Sequence, residues 1–263
     1  MTEKPSVSSA GLRRDLEILE ILAGHGNDQD AEGFGVTWIA QRLGREKSQV
    51  SRALRALENE GMVERDPLTR RYHLGWRVFA LAARTQQSRL VQVAGRFLRG
   101  LVTTLDEDAY LCVLRGDQAL TLVTIPSSRA YHRIWEGVSI PVIMSAAGRS
   151  LLADWEQDQV MELLRARLPS GLDSAISSEE RWLSDLNHVR SHGYVVTEVE
   201  LEDSPVAVSA PIRDHRGLIA AAVSVNCTRV AEPARLHEMG RLVAGVVREI
   251  SYALGHQGAK LLV

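Results

Sequence analysis

Cysteine is nearly absent: Cys112 and Cys227 are the whole complement of a 263-residue chain. They stand far apart with no CxxC partner, which excludes a disulfide-stapled scaffold and a thiolate metal framework and fits a reducing compartment. Both read as buried small hydrophobes. Lysine is almost as rare, with only Lys4, Lys47 and Lys260, a skew that reflects GC-rich coding rather than chemistry. Long apolar runs are missing as well. The longest nearly unbroken one, Leu218 to Val225, falls far short of the roughly 18 to 20 residues that span a bilayer. No membrane partner is therefore expected. The segment Met1 to Gly11 is polar and Ser-rich, without the apolar stretch of an export signal, so a cytoplasmic protein is expected. No internal repeat or low-complexity segment is found. No G-x-S-x-G elbow, P-loop or metal-spaced His/Cys pair occurs, so the chain is read as no enzyme, with no cofactor and no metal.

What is present describes a folded chain, with 45% apolar and 24% charged residues. The net charge of −2 conceals an asymmetry. Between Arg42 and Arg77 nine basic residues face five acidic ones, whereas residues 85–263 carry 18 basic and 21 acidic. A small basic segment on a larger, slightly acidic body is the footprint of a DNA-reading module with a second domain; a solvated helical face is the plainer alternative.

Pattern decides in favour of DNA. Leu12, Leu16, Leu19 and Ala23 recur at helical spacing, predicting a helix from Gly11 to Ala23, followed by a polar loop from His25 to Gly35. A second helix is expected from Thr37, as N-cap, to the stop at Gly44, with Ala40 small enough for a close crossing. A third runs from Ser48 to Glu60. At 100° per residue, Val50, Ala53, Leu54 and Leu57 form its buried stripe. Ser48, Arg52, Arg55 and Asn59 face the opposite way, flanked by Gln49 and Ser51. Lys47 stands just before them. Hydroxyl, amide and guanidinium groups without acid in the first two turns suit the major groove, where Arg pairs with guanine and Gln with adenine. Met62–Arg65 and Arg70–Leu74 then flank a tight turn at Asp66–Thr69, a hairpin whose Arg65, Thr69, Arg70 and Arg71 suit phosphates. The order is that of a winged helix-turn-helix, assigned to residues 1–77.

From Val78 the pattern is helical to about Leu105, with residues 78–92 as a linker helix. Residues 93–263 form the second domain. Strands are expected at Ala109–Leu114 and Ala119–Ile125, joined across Gly116-Asp117, then at Tyr194–Val199, Val206–Pro211 and Leu218–Val225. Helices are expected at Ala146–Trp155, Gln157–Arg167, Glu179–Ser191 and Pro233 to about Leu254. The fold class is α+β around an antiparallel sheet. Ser145 to Gly148 opens a helix whose amide groups can hold a carboxylate or carbonyl oxygen, or else packs tightly on the sheet. Alternation sends Ser224 and Asn226 to one face of their strand, and Val223 and Val225 to the other.

Three segments in order resemble the IclR family of bacterial transcription regulators. The first is Ser48-Gln49-Val50-Ser51-Arg52-Ala53-Leu54 running into Leu57-Glu58-Asn59-Glu60-Gly61. The second extends from Gly137 through Pro141 and Ser145-Ala146-Ala147-Gly148-Arg149 to Ala153, and looks like a G-x-x-x-P strand followed by a G-[KR]-x-x-L-A helix. The third runs from Gly193-Tyr194 through Glu200 and Ala210-Pro211-Ile212 to Ala220–Val225. The loop at His25–Gly35 is longer than usual for the family. The resemblance implies a GAF/PAS-like effector-binding and oligomerisation domain governing the DNA-binding domain. It implies a repressor acting as a homodimer or dimer of dimers on a near-palindromic double-stranded operator. By position, the family's effector pocket maps onto Ser145, Ala146, Ala147, Gly148, Thr197, Ala207, Ser224 and Asn226. Members that bind small keto acids often have an aspartate at Thr197 and a cysteine at Ala207, so a larger acid, amide or aromatic effector is expected here. Tyr110, Tyr131, His132 and Trp135 are candidate aromatic walls, or ordinary core and surface residues. A redox sensor built on the two cysteines and an effector-independent DNA-binding protein are the alternatives.

Overall fold

The computed structural model describes residues 10–23, 33–83, 86–128, 135–167, 179–198, 206–227 and 232–257. The chain divides into two compact units, Met1–Ser88 and Arg89–Val263.

In the first unit, α1 (Ala10–Ala23), α2 (Val36–Leu43) and α3 (Lys47–Asn59) precede a hairpin of β1 (Val63–Arg65) and β2 (Tyr72–Leu74), and α4 (Trp76–Ala82) follows. Ile18, Ile39, Val50, Leu54 and Val63 form a dry core from one stripe of each element. Helix α2 starts two residues earlier than the threonine signal suggests: Gly35 is its cap and its carbonyl accepts the Ile39 N–H, so Thr37 lies inside the first turn. The cause is tertiary, because Phe34 exchanges two backbone hydrogen bonds with Tyr72 and forms an isolated antiparallel bridge to the edge of the hairpin. Gly44, at φ +61°, stops α2 in the left-handed conformation that glycine adopts without strain. Gly75 is required for another reason: a Cβ there would lie 2.2 Å from the Gly61 carbonyl oxygen, where the end of β2 passes the end of α3.

Helix α5 (Gln86–Leu105) is separate from α4, and the second unit starts within its first turn, at Arg89. The single helix expected from Val78 to Leu105 is thus two, since periodicity cannot register a break between helices of the same period. A six-stranded antiparallel sheet follows, built from β3 (Ala109–Arg115), β4 (Gln118–Ile125), β5 (Ser139–Pro141), β6 (Val195–Glu198), β7 (Val206–Arg213) and β8 (Ile219–Cys227), in the order β5-β4-β3-β8-β7-β6. Its first face packs on α5 and the closing helix α9 (Pro233–Ala253) through Leu98, Leu111, Val223, Val243 and Ile250. The other face carries α6 (Ala146–Leu151), α7 (Gln157–Arg167) and α8 (Glu179–His192) through Val142, Leu152, Leu164, Trp182 and Leu186. The α+β class read from the sequence is the fold found.

Helix α6 is shorter than the periodicity predicts, ending at Leu151 rather than Trp155. Arg190 explains the end: its guanidinium donates to the carbonyls of Ala153 and Trp155, at 2.7 and 2.6 Å. Arg149 of the same helix is buried, at 1% exposure. Its Nε donates to Asp185 Oδ2 at 2.9 Å, its Nη1 to the Ser145 carbonyl at 3.1 Å, and its guanidinium lies 4.3 Å from the Trp182 ring. Thr197 donates a further hydrogen bond to Asp185 at 3.2 Å. One ion pair therefore joins α6, α8 and β6.

Removing one partner of a buried pair leaves a buried charge alone and costs about 3–5 kcal/mol. In urea unfolding, Asp185→Leu is expected to lose stability in that range, Arg149→Met to lose less because Arg181 Nε still stands 3.4 Å from the Asp185 carboxylate, and the double variant to recover at least half of the larger loss. A double variant as unstable as the sum of the two would mean that the residues act independently.

Candidate nucleic-acid interface and ligand cavity

Helix α3 buries Val50, Leu54 and Leu57, with Ala53 half-buried, and leaves Lys47, Ser48, Gln49, Ser51, Arg52 and Arg55 exposed. Glu46 caps the helix through its backbone, so the first turn keeps amide groups directed outward beside these side chains. Arg52 and Arg55 meet no carboxylate among the described residues. Glu60, at the far end, is engaged by Arg77 at 2.6 Å. The exposed face is consequently cationic where the helix begins.

The hairpin tip is built by Asp66. Its carboxylate accepts hydrogen bonds from the backbone N–H groups of Thr69 and Leu68, at 2.7 and 2.8 Å, and these bonds, that of Thr69 foremost, hold its pKa below the ordinary value. Arg70, at φ +58°, completes the turn. Thr69 and Arg70 are exposed and Arg71 is half-buried. Arg65 is exposed but partly committed to the hairpin: its guanidinium lies 5.3 Å from the Tyr72 ring and its Nε donates to the Arg70 carbonyl at 3.4 Å. Sequence reasoning missed Arg14, which lines a groove with Gln49 and Arg52. It stands on α1, and only packing brings it beside α3.

In the second unit a cavity of about 20 Å³ lies against the sheet, with Ser145, Ala147, Ser224 and Asn226 in its wall together with Tyr110 and Trp135. None of its described lining residues carries a charge. Four of the eight residues mapped for the effector thus come together. The other four do not line this cavity. Ala146 packs on Ala207, and Thr197 is bonded to Asp185. Gly148 serves packing: its N–H is taken by Ser145 Oγ at 2.9 Å, and a Cβ there would lie 1.7 Å from the Val142 carbonyl oxygen. Tyr131 and His132 lie outside the described residues. Ser224 and Asn226 share a face of β8, as alternation required, while Val223 and Val225 enter the α5–α9 core.

The same alternation separates the cysteines. Cys112 packs in the cluster under α6–α8 and Cys227 in the cluster under α5 and α9, on opposite faces of one sheet. Burial, aided by Glu107, pushes the Cys227 thiol up to about 12. A redox pair is excluded by this geometry.

A winged helix-turn-helix followed by an α+β domain with a neutral, partly aromatic cavity defines a DNA-binding regulator. The chain belongs to the IclR family. The model described as the IclR helix-turn-helix domain matches residues 11–67, and that of the bacterial transcriptional regulator IclR C-terminal domain matches residues 82–252. The regulator BhcR of Paracoccus denitrificans is 31% identical over 253 residues, 94% of this chain and 88% of that protein. An IclR regulator structure from Alicyclobacillus acidocaldarius aligns with a TM-score of 0.69 at 26% identity, covering 97% of this chain and all of that one. An IclR homologue from Microbacterium hydrocarbonoxydans, crystallised with 4-hydroxybenzoate, aligns at 0.73 with 23% identity, covering 93% and 98%. This chain is accordingly a DNA-binding transcriptional regulator, non-catalytic like its family. No helix among its described residues is long and apolar enough to cross a membrane.

A thiol reagent at pH 8 is expected to leave both cysteines of the native protein unmodified, and to react with two per chain in denaturant. Fast modification of Cys227 in the native state would contradict its burial.

Proposed function

We propose that α3 and the hairpin read an operator as a two-fold assembly, and that a small organic effector in the sheet-face cavity controls a repressor. The observation that carries the effector class is the cavity wall, where Tyr110 and Trp135 stand with Ser145, Ser224 and Asn226 and no described lining residue is charged. Such a wall favours an aromatic compound or an amide, and a larger acid over a compact keto acid, because only the larger acid has an apolar body to set against a carboxylate that meets no cation. The cavity is water-sized, so an effector must push its walls apart. Binding then selects the opened arrangement, and any difference in DNA affinity between the two arrangements becomes the response.

The two-fold assembly has its own support. Leu12 and Leu16 on α1, and Trp76, Phe79 and Leu81 on α4, are exposed apolar residues in the first unit. A second copy would cover them, and a dimer matches the two half-sites of a near-palindromic operator.

On the DNA side the contacts are assigned to Lys47, Ser48, Gln49, Ser51, Arg52, Arg55, Arg65, Thr69, Arg70 and Arg71. Arg52→Ala is expected to cost roughly 1–3 kcal/mol of specific affinity and to relax base preference at one position. Arg55→Ala should weaken binding in the same assay. Normal operator binding by both folded variants would overturn the assignment, as would sedimentation of a single chain on the operator.

For the effector, a thermal-shift screen of small acids, amides and aromatic compounds identifies the ligand. 4-Hydroxybenzoate, held by the Microbacterium neighbour, is its first aromatic acid. Ala147→Val takes up the water-sized cavity without forcing its walls apart, and the folded variant is expected to bind operator as the parent does while losing the response to the compound found. A retained response would put the effector elsewhere.

A further inference from the structure

The second unit carries another cleft, much larger than the sheet-face cavity and sharing no lining residue with it. It has a volume of about 790 Å³ and runs between the end of α8, strand β7 and helix α9. Volumes of roughly 300–1,000 Å³ are typical of small-molecule sites. Val189, Ala244 and Val247 supply an apolar floor, and arginines stand around it.

The charges do not cancel. Arg213 is neutralised by Asp154, which accepts both of its Nη groups at 2.6 and 2.7 Å. Arg190 donates to two backbone carbonyls, at 2.7 and 2.6 Å, and meets no carboxylate among the described residues. Arg241 and Arg248 are exposed and meet no carboxylate among the described residues. Seven positions apart on α9, they lie on one face with about 10 Å between them along the axis. Glu249 is the only carboxylate among the described lining residues, so three cations against one anion leave a surplus of two positive charges over an apolar floor. Guanidinium forks bind phosphate bidentately, and a phosphate monoester carries about two negative charges at neutral pH.

We propose that this cleft is a second ligand site, which takes an organic phosphate: the dianionic group among Arg190, Arg241 and Arg248, the apolar body on Val189, Ala244 and Val247. The site stands independently of the effector cavity. It is linked to that cavity mechanically, because the carbonyls held by Arg190 directly follow α6, whose first turn lines the cavity.

Phenyl phosphate is the probe, titrated into the full chain by calorimetry beside phenol and inorganic phosphate. One saturable site for phenyl phosphate is expected, with both fragments binding more weakly. The double variant Arg241→Ala/Arg248→Ala should lower the affinity by about 10-fold or more. Arg248→Glu alone should do the same, and both changes fall on exposed helix positions where thermal unfolding should be unaltered. Ala147→Val, which takes up the water-sized cavity without forcing its walls apart, should leave phenyl phosphate binding unchanged. Absent binding, affinity unmoved by the arginine changes, phenol or inorganic phosphate binding as tightly as phenyl phosphate, or loss of binding on Ala147→Val would each overturn the proposal. The last would also place the probe in the effector cavity.

Discussion

A guanidinium and a carboxylate withdrawn from water lose hydration worth several kcal/mol each, so burying Arg149 against Asp185 obliges their surroundings to provide directed hydrogen bonds. Those partners come from separate parts of the chain: the Ser145 carbonyl before α6, the Thr197 hydroxyl on β6, and the Trp182 ring on α8. An apolar trio of similar volume would pack as densely. It would not fix which turn of α6 faces which turn of α8. The ion pair thus sets the register of α6 on the sheet, and that register brings Ser145 and Ala147 to Ser224 and Asn226.

The first unit solves a related problem with backbone rather than charge. A hairpin of two three-residue strands cannot stand alone in water, and here it is held at both ends. Phe34 pairs with Tyr72 on one side, and on the other the close passage of Gly75 over Gly61 presses the hairpin against the end of α3. Asp66 then shapes the tip from within, its carboxylate satisfied by backbone N–H groups. An acid that would otherwise repel a phosphate is folded into the turn. Arg70 beside it remains exposed.

The periodic parts of this architecture were legible in the sequence because burial and period coincide. The 100° spacing of Val50, Leu54 and Leu57 identified both the core stripe of α3 and its cationic outer face, and alternation in β8 sorted Ser224 and Asn226 from Val223 and Val225. Boundaries set by distant partners were not legible. The start of α2 depends on Tyr72, and the end of α6 on Arg190. The roles of Gly148 and Thr197 also escaped the sequence. A glycine at a helix start looks the same whether its amide waits for a ligand or is capped by Ser145, and a threonine facing a pocket position looks the same whether it waits for an effector or holds Asp185.

Helix α6 has only six residues, too few to be stable by its own hydrogen bonds, and its position is therefore imposed at three places. Ser145 caps its first turn, Arg149 ties its middle to Asp185, and Arg190 holds the carbonyls that follow its end. A helix restrained in this way moves as a body. An effector that widens the cavity at Ala147 must displace α6 against α8 or displace α8 with it, because the Arg149–Asp185 bond would otherwise be broken in a dry interior. Moving the two together costs less than separating two charges. Under the proposed mechanism a ligand at Ala147 would therefore drive a joint shift of α6 and α8, and Arg190, which belongs to α8 and grips the chain after α6, would carry that shift to the rim of the arginine-lined cleft.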